Sequence, residues 1–266
     1  MKIASWNVNS VKARLPILLE WLKTARPDVV CLQETKTVEE TFPAFEIEAA
    51  GYATAVVGQK SYNGVAILAN APIEVLERRL PGEPDDEQAR YIEARIGDVR
   101  VASIYLPNGN PVATEKFDYK LRWLDRLKRH SEALLKTEEP FVLAGDFNVI
   151  PTAIDVFDPK GWEKDALYDL RTREKYRALI HLGLTDAFRI HHPEAGAFTF
   201  WDYQSGSWQR DLGLRIDHLL LSPQAADRLE ACEIDKSLRA KERPSDHTPV
   251  WCSLAPPRGP ANQISA

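Results

Sequence analysis

The chain of 266 residues is 44% hydrophobic and 27% charged, with a formal net charge of −5 at pH 7. This composition is typical of a globular protein and weighs against nonspecific coating of nucleic acid. No apolar run approaches the roughly 20 residues of a membrane span, and the N-terminus lacks the long apolar core of a signal peptide. The sequence therefore predicts a cytoplasmic protein without a membrane partner.

The three cysteines, Cys31, Cys232 and Cys252, each lie in an apolar, strand-like run. Their number and spacing fit neither a disulfide framework nor a zinc site. We expect them to be packing residues.

Two apolar runs near the N-terminus end in polar side chains. The first predicted strand ends just before Asn7, and an amphipathic helix with Asn9 or Ser10 as its N-cap follows. The second, residues 28–34, ends in Glu34. Taken singly, helix capping explains Asn7 and an exposed strand end explains Glu34, so either residue indicates a functional site only if partners lie elsewhere in the chain.

Several strand signals without intervening helices occupy the middle of the chain. They cover residues 52–57, 64–69, 73–76, 91–96 and 99–106. Such runs of strands predict mostly antiparallel sheet, and residues 97–98 give a hairpin signal between the last two. Tyr105 lies at a strand end before the irregular segment 107–111. Either its hydroxyl faces a cleft, or Tyr105 is a core residue whose hydroxyl reaches solvent.

A long charged helix over residues 114–135 leads into an apolar strand over residues 141–146. The strand passes through Gly145 and ends in Asp146 and Asn148, which point to the same side if the extended geometry continues. This pair offers an anionic oxygen for a metal ion or proton beside an amide that can hold an anion. An Asx turn that closes the strand is the alternative, and it is the commoner structure for an isolated Asp-x-Asn pair.

The second half of the chain is less regular. Residues 154–162 predict a functional loop, and residues 171–182 predict a basic helix with a solvated face. Residues 198–203 contain four aromatic side chains and predict either a half-buried strand or an aromatic-tipped loop that stacks on bases. Residues 214–222 predict a further strand, in which Asp217 needs a partner if it is buried.

Polar side chains thus recur at or near the ends of predicted strands. They are Asn7, Glu34, Tyr105, Asp146, Asn148, Asp217, Asp246 and His247. If these ends meet at one edge of packed sheets, they supply oxygen ligands for a hard divalent cation, a histidine for acid-base or electrostatic work, and an aspartate to orient it. The sequence lacks a plausible cysteine-histidine metal set, which favours Mg²⁺ or Mn²⁺ over zinc.

In the order of these motifs, the sequence resembles the exonuclease III family of apurinic/apyrimidinic endonucleases, in the endonuclease/exonuclease/phosphatase superfamily. The six motifs lie at residues 3–9, 32–36, 105–109, 145–148, 213–217 and 245–247. The resemblance implies a single domain over residues 1–254 and, with the Pro- and Gly-rich composition, a disordered tail over residues 255–266. It implies an α/β fold, a four-layered sandwich of two packed, mainly antiparallel sheets flanked by helices, with the site at one edge.

The resemblance also implies a role for each polar strand end. Glu34 resembles the main metal carboxylate of the family. The further candidate metal ligands are Asn7, Asp146, Asn148, Asp246 and His247.

The candidate catalytic residues follow from the same resemblance. Asp146 resembles the group that orients and deprotonates water, and Asn148 and His247 resemble donors to the scissile phosphate. Asp217 resembles the partner of His247, and Tyr105 resembles a contact to the phosphate or the leaving group.

Six residues are candidate DNA contacts by resemblance. They are Asn108, Lys160, Phe200, Trp201, Leu214 and Ile216, of which the last four match an abasic-sugar pocket and an intercalating loop. Two departures from the family pattern bear on these contacts. Trp162 and Asp165 stand where other members carry asparagines against the DNA backbone, and Leu214 stands where some relatives have an aromatic wall.

The implied function is DNA repair by a monomer that uses Mg²⁺, or Mn²⁺ in its place. The substrate is double-stranded DNA with abasic sites or blocked 3′ ends: the phosphodiester 5′ to the abasic site is hydrolysed, leaving a 3′ hydroxyl, with 3′-to-5′ exonuclease and 3′-end-cleaning activity. One alternative is a phosphatase or phosphodiesterase of the same superfamily that acts on a small or lipid phosphate, because the metal core is shared. Another is an inactive DNA- or partner-binding module, which the complete set of candidate catalytic residues disfavours.

Overall fold

The computed structural model describes residues 1–257 of the chain. Residues 258–266, most of the predicted disordered tail, lie outside the described residues. Within residues 1–257, no helix is both long and apolar enough to cross a membrane.

Residues 1–257 contain twelve strands. In chain order they are β1 (Lys2–Asn7), β2 (Val29–Gln33), β3 (Ala53–Val57), β4 (Val65–Ala69), β5 (Glu74–Glu77), β6 (Tyr91–Ile96), β7 (Val99–Tyr105), β8 (Phe141–Asp146), β9 (Thr185–Asp186), β10 (Asp217–Leu221), β11 (Leu229–Ile234) and β12 (Val250–Leu254).

Six α-helices lie between these strands in the same part of the chain. They are α1 (Val11–Ala25), α2 (Ala44–Ala49), α3 (Glu115–Leu135), α4 (Leu170–Ile180), α5 (Ala187–His191) and α6 (Pro223–Ala226), with short 3₁₀ turns at Glu39–Thr41, Ala153–Asp155 and Lys236–Ala240. Ser10 caps α1, because its side chain accepts a hydrogen bond from the backbone N–H of Ala13.

The strands form two six-stranded sheets. The first has the order β11-β12-β1-β2-β4-β3, and the second has the order β5-β6-β7-β8-β10-β9. In each sheet one central pair is parallel, β1 with β2 and β7 with β8, while the other pairs are antiparallel. Parallel neighbours need a long crossover connection, which α1 and α3 provide.

Three apolar clusters show how the layers stack. The central cluster joins the inner faces of the two sheets and includes Cys31 and Ile67 from the first and Val101 and Val142 from the second. A second cluster packs α1 and α2 on the outer face of the first sheet, and a third packs α3 and α4 on the outer face of the second sheet. The predicted four-layered α/β sandwich with mainly antiparallel sheets is therefore confirmed.

The three cysteines are buried and unpaired, as packing residues are expected to be. Each of them belongs to the cluster between the sheets.

The segment 198–216 departs from the sequence prediction. Residues 198–203 do not form a strand; only single bridges join Phe200 to Leu214 and to His247. The strand predicted over residues 214–222 begins later, at Asp217. The backbone at Gly213 packs directly against Phe198, since a Cβ on Gly213 would lie 2.5 Å from the Phe198 ring. The two segments therefore form an irregular loop and not a regular pair of strands.

Candidate active site

The first sheet carries three of the predicted site residues to one edge. Because β1 and β2 are parallel and in register at Asn7 and Gln33, Asn7 lies beside the start of the segment that carries Glu34. Strand β12 runs antiparallel to β1, so the segment that precedes β12, with His247, reaches the same edge.

The second sheet supplies the facing residues in the same way. The parallel pair β7 and β8 places Tyr105 opposite Asp146. Strand β10 is antiparallel to β8 and begins with Asp217 opposite Asp146. The ends of parallel strands and the beginnings of their antiparallel neighbours thus meet at one edge of both sheets.

A cluster of two carboxylates and one imidazole lies at this edge. One ligand atom each from Glu34, Asp146 and His247 lies within 4.8 Å of the other two. The amide Nδ2 of Asn7 donates to Glu34 Oε1 at 2.8 Å and to Asp146 Oδ2 at 2.9 Å. Asn7 thus sits between the carboxylates as a donor, and its Oδ1 accepts a hydrogen bond from the backbone N–H of Asn9.

His247 lies between two aspartates. Its Nδ1 is 2.8 Å from Asp217 Oδ2, and its Nε2 is 3.7 Å from Asp146 Oδ2. Burial on its own would lower the pKa of His247, but the negative charges of Asp217 and Asp146 raise that pKa to about 10. The imidazole is therefore protonated at neutral pH and is a charged donor.

The pKa of Asp146 is raised as well, but for a carboxyl group this favours the neutral form. Burial raises the pKa of Asp146 to about 7, with repulsion from Asp217 and Glu34 adding to the shift and His247 opposing it. Three carboxylates, Glu34, Asp146 and Asp217, face two cations, the His247 imidazolium and Lys36, which leaves an excess of negative charge. The carboxylate oxygens of this set fit a hard divalent cation, which would offset that excess.

Asp146 and Asn148 form the Asx turn that the sequence allowed as the alternative to an extended pair. The backbone N–H of Asn148 donates to Asp146 Oδ1 at 2.9 Å, which is an Asx turn. The strand ends at Asp146, and Asn148 has a φ of 48°, so the extended geometry does not persist. The turn nevertheless leaves both side chains in the wall of the same pocket.

Glu34 and Tyr105 face each other at the cluster. Burial raises the pKa of Glu34, but hydrogen bonds from Asn7 and Lys36 outweigh it and hold that pKa below its usual value. Burial, together with the charges of Glu34 and Asp146, raises the pKa of Tyr105 well above its usual value. Tyr105 therefore keeps its proton at neutral pH and can only donate to an anion.

A cavity of about 360 Å³ opens above the cluster. Its apolar wall consists of Phe157, Trp162, Leu167, Phe200, Leu212, Leu214 and Ile216. The ring of Phe200 meets the His247 ring edge-on, with centroids 5.0 Å apart. The charged cluster and the apolar wall therefore belong to one pocket.

Four of the predicted DNA-contact residues line this pocket and two do not. Asn108, Phe200, Leu214 and Ile216 lie in its wall. Trp201 is fully buried instead: its Nε1 donates to Asp211 at 2.9 Å and its ring contacts Trp208, so its side chain is not presented as a wedge for DNA. Lys160 is exposed but is not part of the wall.

Asp246 also lines the pocket but stands apart from the cluster of Glu34, Asp146 and His247. Its Oδ1 accepts a hydrogen bond from Asn9 Nδ2 at 3.0 Å. The residues that depart from the family pattern, Trp162, Asp165 and Leu214, all line the pocket. Trp162 and Leu214 lie in its apolar wall, and Asp165 accepts two 3.1 Å hydrogen bonds from Asn110.

Sequence reasoning missed two buried cations near the site. Lys120 of α3 lies behind the pocket, and Arg215 lies between the two wall residues Leu214 and Ile216. The available signal was a charge within an apolar pattern: Lys120 follows Phe117 by three positions on the buried stripe of α3, and Arg215 interrupts an apolar run.

The model of the endonuclease/exonuclease/phosphatase family matches residues 4–247. The chain belongs to this family. It is 34% identical to the exodeoxyribonuclease III of Haemophilus influenzae, over 96% of this chain and 100% of the relative. It is 32% identical to an exodeoxyribonuclease of Bacillus subtilis, over 94% of this chain and 98% of the relative.

Solved structures of the endonuclease/exonuclease/phosphatase type match over nearly the same span. A 3′-5′ exonuclease from Neisseria meningitidis has a TM-score of 0.93 at 40% identity and covers 96% of this chain and 100% of its own. An AP endonuclease from Archaeoglobus fulgidus has a TM-score of 0.92 at 37% identity and covers 96% of this chain and 99% of its own. The match thus covers nearly all of the described residues 1–257.

Proposed function

We propose that this chain is a DNA repair nuclease that hydrolyses the phosphodiester 5′ to an abasic site in duplex DNA and leaves a 3′ hydroxyl. The observation that carries the proposal is the cluster of Glu34, Asp146 and His247 at the floor of a pocket with an apolar wall. The relatives named as exodeoxyribonucleases support the choice of DNA, and they also support a 3′-to-5′ exonuclease activity that cleans blocked 3′ ends.

We assign the metal site to Glu34 and Asp146, with Asn7 holding the two carboxylates in place. Mg²⁺ is the expected ion and Mn²⁺ its substitute, because the donors are hard oxygens. Such an ion neutralises charge on a phosphodiester and lowers the pKa of bound water. We assign His247 to the phosphate and not to the ion, because Asp217 at its Nδ1 and Asp146 beside its Nε2 both favour the imidazolium, which has no free lone pair.

The chain's own groups have distinct roles in the proposed hydrolysis. Asp146, a buried carboxylate in the cluster with Glu34 and His247, is placed to orient the attacking water and to accept its proton. His247 Nε2 and the amide of Asn148 are donors for the non-bridging oxygens of the phosphate, where negative charge develops. Tyr105 keeps its hydroxyl proton and supplies a further donor.

The apolar wall supports recognition of an abasic sugar. Phe200, Leu214 and Ile216 can contact a sugar that has left the helix, and no base has to be unstacked to bring it there. Next to the exposed Tyr203, the partly exposed Arg14 donates to the tyrosine hydroxyl at 2.7 Å. This guanidinium offers a contact for a DNA phosphate despite the negative net charge of the chain. We take the active unit to be a cytoplasmic monomer.

A cleavage assay on a duplex with one abasic site tests this function. We expect incision that requires Mg²⁺ or Mn²⁺, stops with EDTA, and yields a 3′ end that a DNA polymerase extends. The undamaged duplex, an inositol phosphate and sphingomyelin are the comparison substrates. Faster hydrolysis of either lipid-type phosphate would place the chain among the phosphatases and phosphodiesterases, and DNA binding without cleavage of any substrate would make it a binding module.

A further inference from the structure

A fully buried lysine lies directly behind the pocket. Lys120 has no exposed surface and projects from the buried face of α3, three residues after Phe117. An ammonium group in the interior is costly unless its protons are bound. Burial lowers the pKa of Lys120 to about 7, against the raising effects of Asp165 and Asp146.

The ammonium group of Lys120 binds the main chain of two pocket residues. Its Nζ donates to the carbonyl oxygen of Asn108 at 2.9 Å and to that of Asn148 at 2.6 Å. On the pocket side, Asn108 Nδ2 donates to Asn148 Oδ1 at 3.2 Å. The two asparagines are therefore joined twice, by their side chains in front and by the lysine behind.

Asn148 has a backbone conformation that needs such support. Its φ of 48° lies in the left-handed region, which costs about 1 kcal/mol or more for a residue with a side chain. Asp146 binds its N–H and Lys120 binds its carbonyl oxygen, so the peptide groups on both sides of Asn148 are held. The side-chain amide is held as well: its Nδ2 donates one hydrogen to the carbonyl oxygen of Leu106 at 2.9 Å, which leaves the second hydrogen for another acceptor.

The loop that carries Asn108 is built against the stem of the same lysine. Gly109 has a φ of 84°, and a Cβ at this position would lie 2.6 Å from Lys120 Cδ and 3.1 Å from Lys120 Cβ. The loop backbone thus rests on the lysine stem with no room for a side chain between them. The position of Lys120 therefore determines the position of Asn108 as well as that of Asn148.

We propose that Lys120 is a positioning residue for phosphodiester hydrolysis, which acts by holding the main chain of Asn148 and Asn108 so that their amides face the phosphate. The inference rests on the proposed function, in which Asn148 donates to the scissile phosphate. A donor that is misplaced by about 1 Å loses much of its effect on the transition state, at a cost on the order of 100-fold. Removal of the Lys120 ammonium group should therefore lower kcat more than it raises KM.

The test compares Lys120→Met, Lys120→Arg and the control Lys128→Met on the abasic duplex. Lys128 lies on the same helix and is partly exposed, and within residues 1–257 it pairs only with Glu132. We expect kcat of Lys120→Met to fall by about 10- to 100-fold with KM nearly unchanged, since misplaced supporting groups have effects of this size. Lys120→Arg, which restores donors, should recover part of the loss, and Lys128→Met should match the wild type. Circular dichroism and thermal melting report whether each variant is folded.

A double-mutant cycle with Asn148→Ala separates positioning from a merely structural role. If Lys120 acts through Asn148, Lys120→Met adds little to the loss in kcat that Asn148→Ala already causes. The proposal would be overturned if Lys120→Met lowered kcat by the same factor with and without Asn148→Ala. It would also be overturned if folded Lys120→Met had the kcat of the wild type. If Lys120→Met does not fold, Lys120→Arg replaces it in the cycle, with the same two outcomes. A wild-type protein that fails to cleave the abasic duplex would instead contradict the proposed function itself.

Discussion

Two buried clusters of charged side chains flank the start of β10, and they differ in charge balance. The candidate active site combines the carboxylates of Glu34, Asp146 and Asp217 with two cationic groups, His247 and Lys36, of which Lys36 pairs with Glu34 at 2.8 Å. Both Asp146 and Asp217 are almost completely buried. This cluster is negative as a whole and opens into the pocket.

The second cluster, centred on Arg215, is balanced. Arg215 Nε donates to Asp155 Oδ1 at 2.6 Å, and its second terminal nitrogen donates to Asp186 Oδ2 at 2.8 Å. Arg189 also pairs with Asp155, so two guanidinium groups meet two carboxylates. His218 accepts a hydrogen bond from Arg215. Burial lowers the pKa of His218 to about 4, so its imidazole is neutral at neutral pH.

The pKa shifts follow this difference. Burial disfavours the charged form of both Asp155 and Asp146. At Asp155 the charge of Arg215 outweighs this effect and lowers the pKa to about 2. At Asp146 the neighbouring carboxylates add to the effect of burial, and its pKa rises to about 7. Charge balance, and not burial, thus separates a cluster that holds the pocket wall in place from one suited to bind a cation.

Removing Glu34 should have the largest effect on function. We expect Glu34→Ala to lower the incision rate by several orders of magnitude, since losing a metal carboxylate costs several kcal/mol of transition-state stabilisation. Folding should be retained, because the cluster loses one of its excess negative charges. Rates measured at saturating Mg²⁺, with thermal melting of the same samples, check both points. A rate close to that of the wild type would remove Glu34 from the metal site.

Asp217 and His247 should behave as one unit. Asp217→Asn keeps the shape but weakens the charge that holds the imidazole proton, and His247→Asn removes the charged donor itself. Each single change should slow incision strongly, while the double mutant should lose much less than the product of the two losses. Single-turnover rates of the four proteins give the coupling. Strictly multiplicative losses in folded variants would show that the two side chains act independently.

Breaking the balanced cluster should affect stability instead. Arg215→Met leaves Asp155 and Asp186 as buried carboxylates short of a partner, so we expect the free energy of unfolding to fall by about 3–5 kcal/mol. Urea denaturation measures the change. The exposed Arg171, which pairs with Asp169, is the matched control, and Arg171→Met should cost at most about 1 kcal/mol. Equal effects of the two substitutions would mean that the Arg215 cluster does not stabilise the fold.

The balanced cluster should also give stability a pH dependence in acid. The pKa of Asp155 is lowered in the folded state, so its contribution is present above the unfolded pKa of about 4 and is lost as the pH falls towards about 2. The contribution is on the order of 2 kcal/mol. We measure the free energy of unfolding by urea denaturation at several pH values between 5 and 2. Its decrease with falling pH should be smaller for Asp155→Asn than for the wild type. An equal decrease in the two proteins would contradict the assignment.

The convergence of the polar strand ends was predictable from local sequence. Asn7, Glu34, Tyr105 and Asp146 each follow an apolar run, and parallel pairing brings such ends to one edge. Their separate roles came only from the family resemblance. The same local signals cannot show which carboxylates share a cation and which pair with an arginine, because Asp155 and Arg215 meet across 60 residues of chain.

The irregular segment 198–216 was harder to predict for a physical reason. Its position is set by single bridges and by packing at Gly213, not by a repeating ladder, so no periodicity marks it. From the aromatic content of residues 198–203, Phe200 was correctly predicted to line the pocket. The aromatic content did not distinguish Phe200 from Trp201, because which ring faces inward depends on Trp208 and Asp211, which follow in the chain.

The most direct test of the comparison is a divalent-cation titration followed by thermal melting. Metal-stripped wild-type protein, Glu34→Ala and Arg171→Met are melted at increasing Mg²⁺ and, separately, Mn²⁺. A ligand that binds only the folded state raises the melting temperature as its concentration passes its dissociation constant. We predict this rise for the wild type and Arg171→Met and its loss in Glu34→Ala. An equal rise in all three proteins, or none in the wild type, would contradict the claim that the unbalanced cluster is the cation site.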